Sequence, residues 1–402
     1  MKNMKILFTG DFCPVNRVEQ MALGGKADAV FGNVLTELRD KDLSVINLEC
    51  PLTTRKSPIR KSGYNLKAHP KSVRCIKAGG FDIVNLANNH IADYGSFAVN
   101  ETIHLLQSNK IKYVGAGSSL SAAQKPLRVQ FEGKVIAFLG FAENEFNLAD
   151  EKNAGAWPLD PVINISQIKK VRSDADIVII LVHGGNEYNP IPSPRMIKTY
   201  RAFVDAGASV VIGTHPHVPH GYEIYNDAPI FYSLGNFVLN VGQKDTQGSL
   251  WSKSYMVRLH FQETNVQDIE IIPYKTLDET DCLTLLKDEE LDEFLTYINF
   301  LSGILKDKDQ VKKYWHAWCA LTGPKLIRWL SLFSPLAFVY TLLPWKSFRT
   351  MRSFLVARNL VTCEAHSEIL STFMDLVRKE YIDKAKEYIP FIRRLQKGKI
   401  PD

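Results

Sequence analysis

Paired cysteines are missing from this 402-residue chain. Its six cysteines (Cys13, Cys50, Cys75, Cys282, Cys319 and Cys363) are widely spaced and include no C-x-x-C pair. That spacing fits reduced thiols in a reducing compartment better than a disulfide framework. The roughly 7–15-residue apolar core of a secretory segment is missing too, because Met1-Lys-Asn-Met-Lys5 leads straight into the first strand pattern. A cytoplasmic catalytic region is the expectation. The first 270 residues hold no compact Lys/Arg cluster, and a net charge of +6 is modest for the length, so nothing points to nucleic acid. Repeats and low-complexity tracts are absent as well. What remains is ordinary globular composition, 45% hydrophobic and 23% charged, with ample material for a core.

To about residue 275, short Val/Ile/Leu runs alternate with amphipathic stretches at Ser72–Ala78, Ser96–Ser108, Ile165–Arg172 and Ser193–Ala206. Strands separated by helical patterns predict βα repeats and a largely parallel sheet. Leu127–Phe131 and Lys134–Phe141 read as a hairpin across Glu132-Gly133. Pro229–Leu234, Ser254–Phe261 and Val266–Pro273 read as neighbouring antiparallel strands, with a turn at Glu263-Thr-Asn265. The expected fold class is α/β: a mixed sheet, or two stacked sheets with helices outside.

Beyond about 276 strands are no longer expected, and a helical region over 276–402 is. Between Gln310 and Cys363 there are eight Lys/Arg, no Asp or Glu, and four of the six tryptophans. Inside that window Trp329–Trp345 carries no charge. Spanning a membrane takes about 20 apolar residues, and Pro335 and Pro344 interrupt this run. Three readings stay open: peripheral contact of 310–363 with a membrane surface, a helical cap packed on the main domain with its cations in solvent, or an oligomerisation surface.

Five apolar runs end at metal-ligand residue types. They stop at Asp11, at Glu49, at Asn89-His90, at His183, and at His215-Pro-His217. In an α/β sheet the carboxyl ends of strands converge on one edge, where such sheets place their sites. Taken singly, an Asp after Thr-Gly or an Asn-Asn pair is ordinary turn chemistry, and His183 alone would be a structural histidine. Five arrivals together point to a metal centre. Imidazole with carboxylate suits one or two Zn, Mn or Fe ions rather than Ca. Such ions supply a water of lowered pKa and a Lewis acid for hydrolysis. His90, beside a ligand without obviously being one, fits a general acid.

These residues lie in motifs that resemble a known family. Thr9-Gly-Asp11, Asn47-Leu-Glu-Cys-Pro-Leu52, Asn85-Leu-Ala-Asn-Asn-His-Ile-Ala-Asp-Tyr-Gly95, His183-Gly-Gly-Asn-Glu-Tyr188, Gly213-Thr-His-Pro-His-Val218 and Tyr232-Ser-Leu-Gly-Asn-Phe237 follow the order of the CapA-type poly-gamma-glutamate capsule synthesis proteins. Their domain resembles the calcineurin-like metallophosphoesterases. The resemblance covers residues 4 to about 275 and implies a four-layer αββα sandwich with a C-terminal helical extension. It implies Asp11 and His217 on one metal, Asn89, His183 and His215 on the other, Glu49 bridging, and His90 as acid near the leaving group. Two positions depart from the phosphoesterase pattern: Cys13 stands where a second ligand belongs, and Glu49 where the bridge is usually Asp.

The resemblance thus implies a metal-dependent hydrolase of capsule or exopolymer biosynthesis, acting on a phosphoester, amide or ester. A non-catalytic polymer-binding assembly factor is the alternative. With an anionic polymer or small anion as substrate, Arg60, Glu187, His220 and Asn236 are candidate contacts. Arg17, Arg55, Lys56 and Lys61 lie in loops after the same strands.

Overall fold

A computed structural model describes residues 4–239, 250–276, 282–330 and 348–401. Alternation along the first strands sets the layering. In Met4–Cys13, Ile6 and Phe8 point one way and Leu7 the other; Val45 and Ile46, then Ile83 and Val84, repeat the split in the next two strands. Because successive side chains face opposite sides of a sheet, this sheet is covered twice. Ile6, Phe8, Val45 and Ile83 pack against the second sheet, in one cluster with Phe138, Ile180 and Val211. Leu7, Ile46 and Val84 pack with Val18, Ile76, Val99 and Ile103 from the outer helices.

The first sheet runs in the order Thr284–Leu285, Asn265–Lys275, Lys253–Gln262, Met4–Cys13, Leu43–Leu48, Ile83–Asn85, Lys112–Val114, with Asn236–Leu239 also pairing with Met4–Cys13. The second runs Tyr222–Tyr225, Ala228–Phe231, Val210–Thr214, Ile177–His183, Lys134–Ala142, Leu127–Phe131. Ile177–His183 is buried along its whole length, as a parallel strand between two covered faces must be. Outside lie helices such as Pro161–Arg172 and Pro194–Asp205. Their starts are written locally: Asp160 and Ser193 accept hydrogen bonds from first-turn amides, and each is followed by proline. The α/β sandwich expectation is met.

The hairpin at Glu132-Gly133 forms as expected, with φ of 46° and 80°, the two positive values a tight two-residue turn requires. The antiparallel pair around Glu263 also forms. Two expectations change. Ala228–Phe231 is not a neighbour of that pair; it runs parallel to Val210–Thr214 in the other sheet. A strand also occurs beyond 276, where Thr284–Leu285 extends the first sheet beside Asn265–Lys275.

The C-terminal helices share the hydrophobic cluster of the second sheet, across the expected boundary at 275. Leu301, Trp315, Trp318, Leu360, Ile369 and Leu376 are all buried in it. Ser302 Oγ accepts from the Tyr222 amide at 3.0 Å, fixing Asp288–Ile304 to the sheet edge. Of the uncharged Trp329–Trp345 run, all but its first two residues lie outside the described residues. Among the described residues, no helix is long and apolar enough to cross a membrane.

Candidate metal centre

Strand register brings the polar residues to one edge. Asp11 pairs in register with Asn47, Asn47 with Asn85, and His183 with both Thr214 and Ala142. The two sheets therefore present their carboxyl ends to the same place. Asp11 can approach because Gly10 has no side chain: a Cβ there would sit 1.8 Å from the Gly235 carbonyl oxygen, and the Asp11 amide bonds that same carbonyl at 3.1 Å. Gly10→Ala must push two backbones apart. A loss of about 1–3 kcal/mol or more is expected, as for overpacked interiors, read as a lower denaturant midpoint.

His183 is the hub. Its Nε2 lies 3.1 Å from Asn89 Oδ1, 3.1 Å from His215 Nδ1 and 3.5 Å from Glu49 Oε1. Its Nδ1 meets Asn47 Nδ2 and Thr214 Oγ1, each at 3.1 Å. Asp11 Oδ1 accepts from Asn47 at 2.7 Å, and Asp11 Oδ2 from the His215 amide at 3.0 Å. His217 Nδ1 donates to Asn236 Oδ1 at 2.9 Å, leaving Nε2 to face Glu49 Oε1 at 3.6 Å. His215 and His217 adopt φ of 99° and 59°. Non-glycine residues hold such angles at a cost, and such strain clusters at functional sites; here it turns both rings of His-Pro-His inward.

Glu49 is the telling residue. Its side chain is buried and neither carboxylate oxygen has a hydrogen-bond partner. A buried carboxylate left so costs several kcal/mol unless a cation meets it; in the metal-free protein the His183 and His217 rings supply that charge, the place a metal ion would take. Glu49, His215 and His217 bring ligand atoms within 4.8 Å of one another. The charge balance agrees. Burial alone would push the His183 and His217 rings down, yet Asp11 and Glu49 raise them to about 9 and about 10. Burial opposes the ionised form of Asp11 too, but the His183 and His217 rings, 3.5 and 3.4 Å away, hold its carboxyl below the usual range. His215 moves the other way, driven down by burial and by the His183 charge. The donor set suits a divalent metal of the Zn, Mn or Fe class.

The structure gathers all six expected ligands, Asp11, Glu49, Asn89, His183, His215 and His217. His90 stands apart from them: its Nδ1 bonds Asp93 Oδ2 at 2.6 Å, and Lys61 Nζ reaches the other Asp93 oxygen at 2.5 Å. Both His90 and Lys61 line a cavity of about 1050 Å³ above the cluster, with Glu187 also on its wall. His220 and Asn236, expected to touch substrate, do not line it. His220 is buried with Nε2 on the Asn189 carbonyl at 2.7 Å, and burial pushes its ring down to about 4. Asn236 spends its amide on His217, donating to its carbonyl at 3.1 Å. Arg60 is exposed and absent from the wall, where Lys61 stands instead; Arg17, Arg55 and Lys56 do not line it either. Cys13 faces the helix layer beside Cys50, its thiol pushed well up by burial and that neighbour.

Three contributors were missed. Asn47 occupies a polar position in an apolar strand, two residues before Glu49 and so on the same face, which was a readable signal. Glu145 accepts from Asn89 Nδ2 at 3.1 Å and lies 3.8 Å from His215 Nε2. Burial opposes its ionised form, but the nearby His215, His366 and His90 rings and Lys61 hold its carboxyl down at about 2. The far wall of the cavity comes from the C-terminal helices, including Trp318, Leu326, Trp329, Leu360 and His366. Glu143, Cys363 and Glu364 form a second close donor group, but Arg195 already neutralises Glu143 and also bonds Glu368 at 3.1 Å.

A family model for the bacterial capsule synthesis protein PGA_cap matches residues 5–241. The chain is similar to the PGA biosynthesis protein CapA of Bacillus subtilis (strain 168), 36% identical over 270 residues, 66% of this chain and 70% of that protein. It is also similar to the capsule biosynthesis protein CapA of Bacillus anthracis, 32% identical over 283 residues, 68% of each. A hypothetical protein from Thermus thermophilus superposes with a TM-score of 0.43 at 16% identity, covering 68% of this chain and 99% of that one.

Proposed function

The chain belongs to the bacterial capsule synthesis protein family PGA_cap, and from that premise we propose that it is a metal-dependent hydrolase serving capsule or exopolymer synthesis of the poly-gamma-glutamate type. The observation that carries this reading is Glu49, a buried carboxylate with no hydrogen-bond donor, facing His183 Nε2 and His217 Nε2 at 3.5 and 3.6 Å. Asp11, Glu49, Asn89, His183, His215 and His217 would hold one or two Mn, Fe or Zn ions. Such an ion supplies an acidified water and a Lewis acid for a phosphoester, amide or ester bond.

The remaining groups act around that centre. Asn236 Oδ1 accepts from His217 Nδ1 and the Thr214 hydroxyl faces His183 Nδ1 at 3.1 Å, so these two groups orient the rings from behind, as outer partners of metal-binding histidines do. Asp93 holds His90 by Nδ1, which leaves Nε2 to carry a proton to a leaving group. Trp251, 5.2 Å from the His217 ring and stacked on Tyr188 at 5.5 Å, shields one side of the cluster from water.

One observation favours a second reading, a polymer-binding assembly factor without turnover. Cys13 is buried away from the cluster as a raised, uncharged thiol, so it adds no ligand beside Asp11. Elemental analysis of protein prepared without chelators, paired with hydrolysis assays on phosphodiesters and gamma-glutamyl amides, tests both. One or two equivalents of Mn, Fe or Zn with turnover is the expected result. Metal without turnover on either bond class leaves the assembly factor, and protein free of metal sinks the hydrolase. Under the hydrolase reading, His90→Gln is expected to lower turnover about 10²- to 10⁴-fold, the usual range for a general acid, with metal content unchanged.

A further inference from the structure

The family match ends at residue 241, yet a large part of the lining of the cavity over the histidine–carboxylate cluster comes from residues beyond 310. The Lys308–Leu330 helix contributes Trp318, Thr322, Lys325, Leu326, Arg328 and Trp329 to the wall, and Phe348–Thr362 contributes Arg352 and Val356. The charge on this wall has one sign. Lys325, Arg328 and Arg352 line it, and no Asp or Glu of the C-terminal helices does. The opposite wall is mixed, with Glu49, Glu145 and Glu187 against Lys61.

Among the described residues none of the three cations has an ion-pair partner, and Lys325 Nζ rests only on the Trp329 ring, 4.7 Å from its centroid. Some cations elsewhere in the chain find carboxylates, as Arg128 finds Asp174 at 2.9 Å and half-buried Lys275 finds Glu290 at 2.7 Å, whereas these three stand together on one wall. Three cations left unpaired on one wall are a surface waiting for anions.

The wall is held in place. Arg195, beside the cluster strands, bonds Glu368 at 3.1 Å; the Asn144 amide bonds Glu364 at 3.0 Å; Asn186 Nδ2 bonds the Ala365 carbonyl at 3.1 Å. Trp318 and Leu360 are buried in the main core. The cations therefore stand on a fixed support.

We propose that the C-terminal helices are the substrate-anchoring half of this site. Lys325, Arg328 and Arg352 hold the outer anionic groups of an extended, multiply charged ligand whose reacting group lies at the Glu49–His183–His217 cluster. The shared chemistry is a row of anions along one chain, carboxylates or phosphates. The inference rests on the metal-centre reading only for the identity of the inner end; the anchoring itself does not need turnover.

The test uses the full chain and the variant K325Q/R328Q/R352Q, with K152Q/K169Q/K170Q as a charge control on exposed positions away from the cavity. Binding of oligo-gamma-glutamate, inorganic polyphosphate of matched length and inorganic phosphate is measured by titration calorimetry across a salt series. Manganese binding is measured separately by equilibrium dialysis. The cavity variant is expected to bind one or both oligomers at least about tenfold more weakly and to show a salt slope shallower by about 2. The control variant should match the parent, and manganese binding should be unchanged in all three proteins. Loss with the carboxylate oligomer alone, or with polyphosphate alone, identifies the anion. Oligomer affinity equal in cavity variant and parent, or an equal loss in the control, overturns the anchoring wall. Absence of manganese binding from every protein, with no Zn or Fe found by elemental analysis, overturns the metal reading without touching the wall.

Discussion

His217→Ala is expected to weaken metal binding by more than about 100-fold. Loss of a partner behind a metal-binding histidine usually costs about 10–100-fold, so a direct ligand must cost more. His217 presents Nε2 to Glu49 while Asn236 fixes its Nδ1. Removing the ring leaves Glu49 buried with one counter-charge fewer. Asn236→Ala, which frees the ring without removing it, should fall within the 10–100-fold range, and His220→Ala should not change affinity. Thermal unfolding gives an independent reading. A cation present at about 100 times its Kd adds roughly 2.7 kcal/mol to the folded state, a rise in Tm of several degrees for the parent. His217→Ala should show no such rise. A parent and a His217→Ala protein that bind metal equally would remove His217 from the ligand set.

The second large effect is with pH. His183 is raised to about 9 and His217 to about 10 by Asp11 and Glu49. Below pH 9 both rings of the metal-free protein carry a proton, and a cation must displace both. Metal affinity should therefore climb about 100-fold per pH unit up to 9, about tenfold per unit from 9 to 10, and level off above. Calorimetry in buffers of differing ionisation enthalpy should report close to two protons released per cation at pH 7.5. Affinity flat between pH 7 and 9 would contradict the assignment. The metal-free fold has the linked dependence. Histidines with raised pKa stabilise it fully below their unfolded value of about 6.5, and that stabilisation fades as pH rises through 9 to 10. Chelator-treated protein should accordingly lose stability on the alkaline side.

Why the ligand set was legible and its surroundings were not comes down to range. A strand ending in His is a local pattern, and sheet geometry then delivers every strand end to one edge; His183, His215 and His217 follow from that, while Asp11, Glu49 and Asn89 rest mainly on the order of their motifs. Hairpins at Glu132-Gly133 and Glu263 were legible for the same reason. Arg60 and Lys61 are neighbours in a loop, which carries no periodicity to say which of them turns inward. Asn236 reads as a motif residue, but only the parallel pairing of its strand with Met4–Cys13 turns its amide onto His217. The apolar run Ala228–Phe231 does not state its partner, so its place beside Val210–Thr214 is not readable from the sequence. The far wall is the extreme case: Arg195 and Glu368, or Asn144 and Glu364, meet across well over a hundred residues, and no window of sequence records that meeting.

The split between an inner half before residue 240 and a covering half after 310 also sets an order of assembly. Chains emerge from the ribosome N-terminus first and domains fold as they appear. All six ligand positions, from Asp11 to His217, are made long before Trp318 or Leu360 exists to cover them. The ligand residues are thus synthesised before the helices that cover them, and the Lys253–Gln262 strand that flanks Met4–Cys13 emerges between the two.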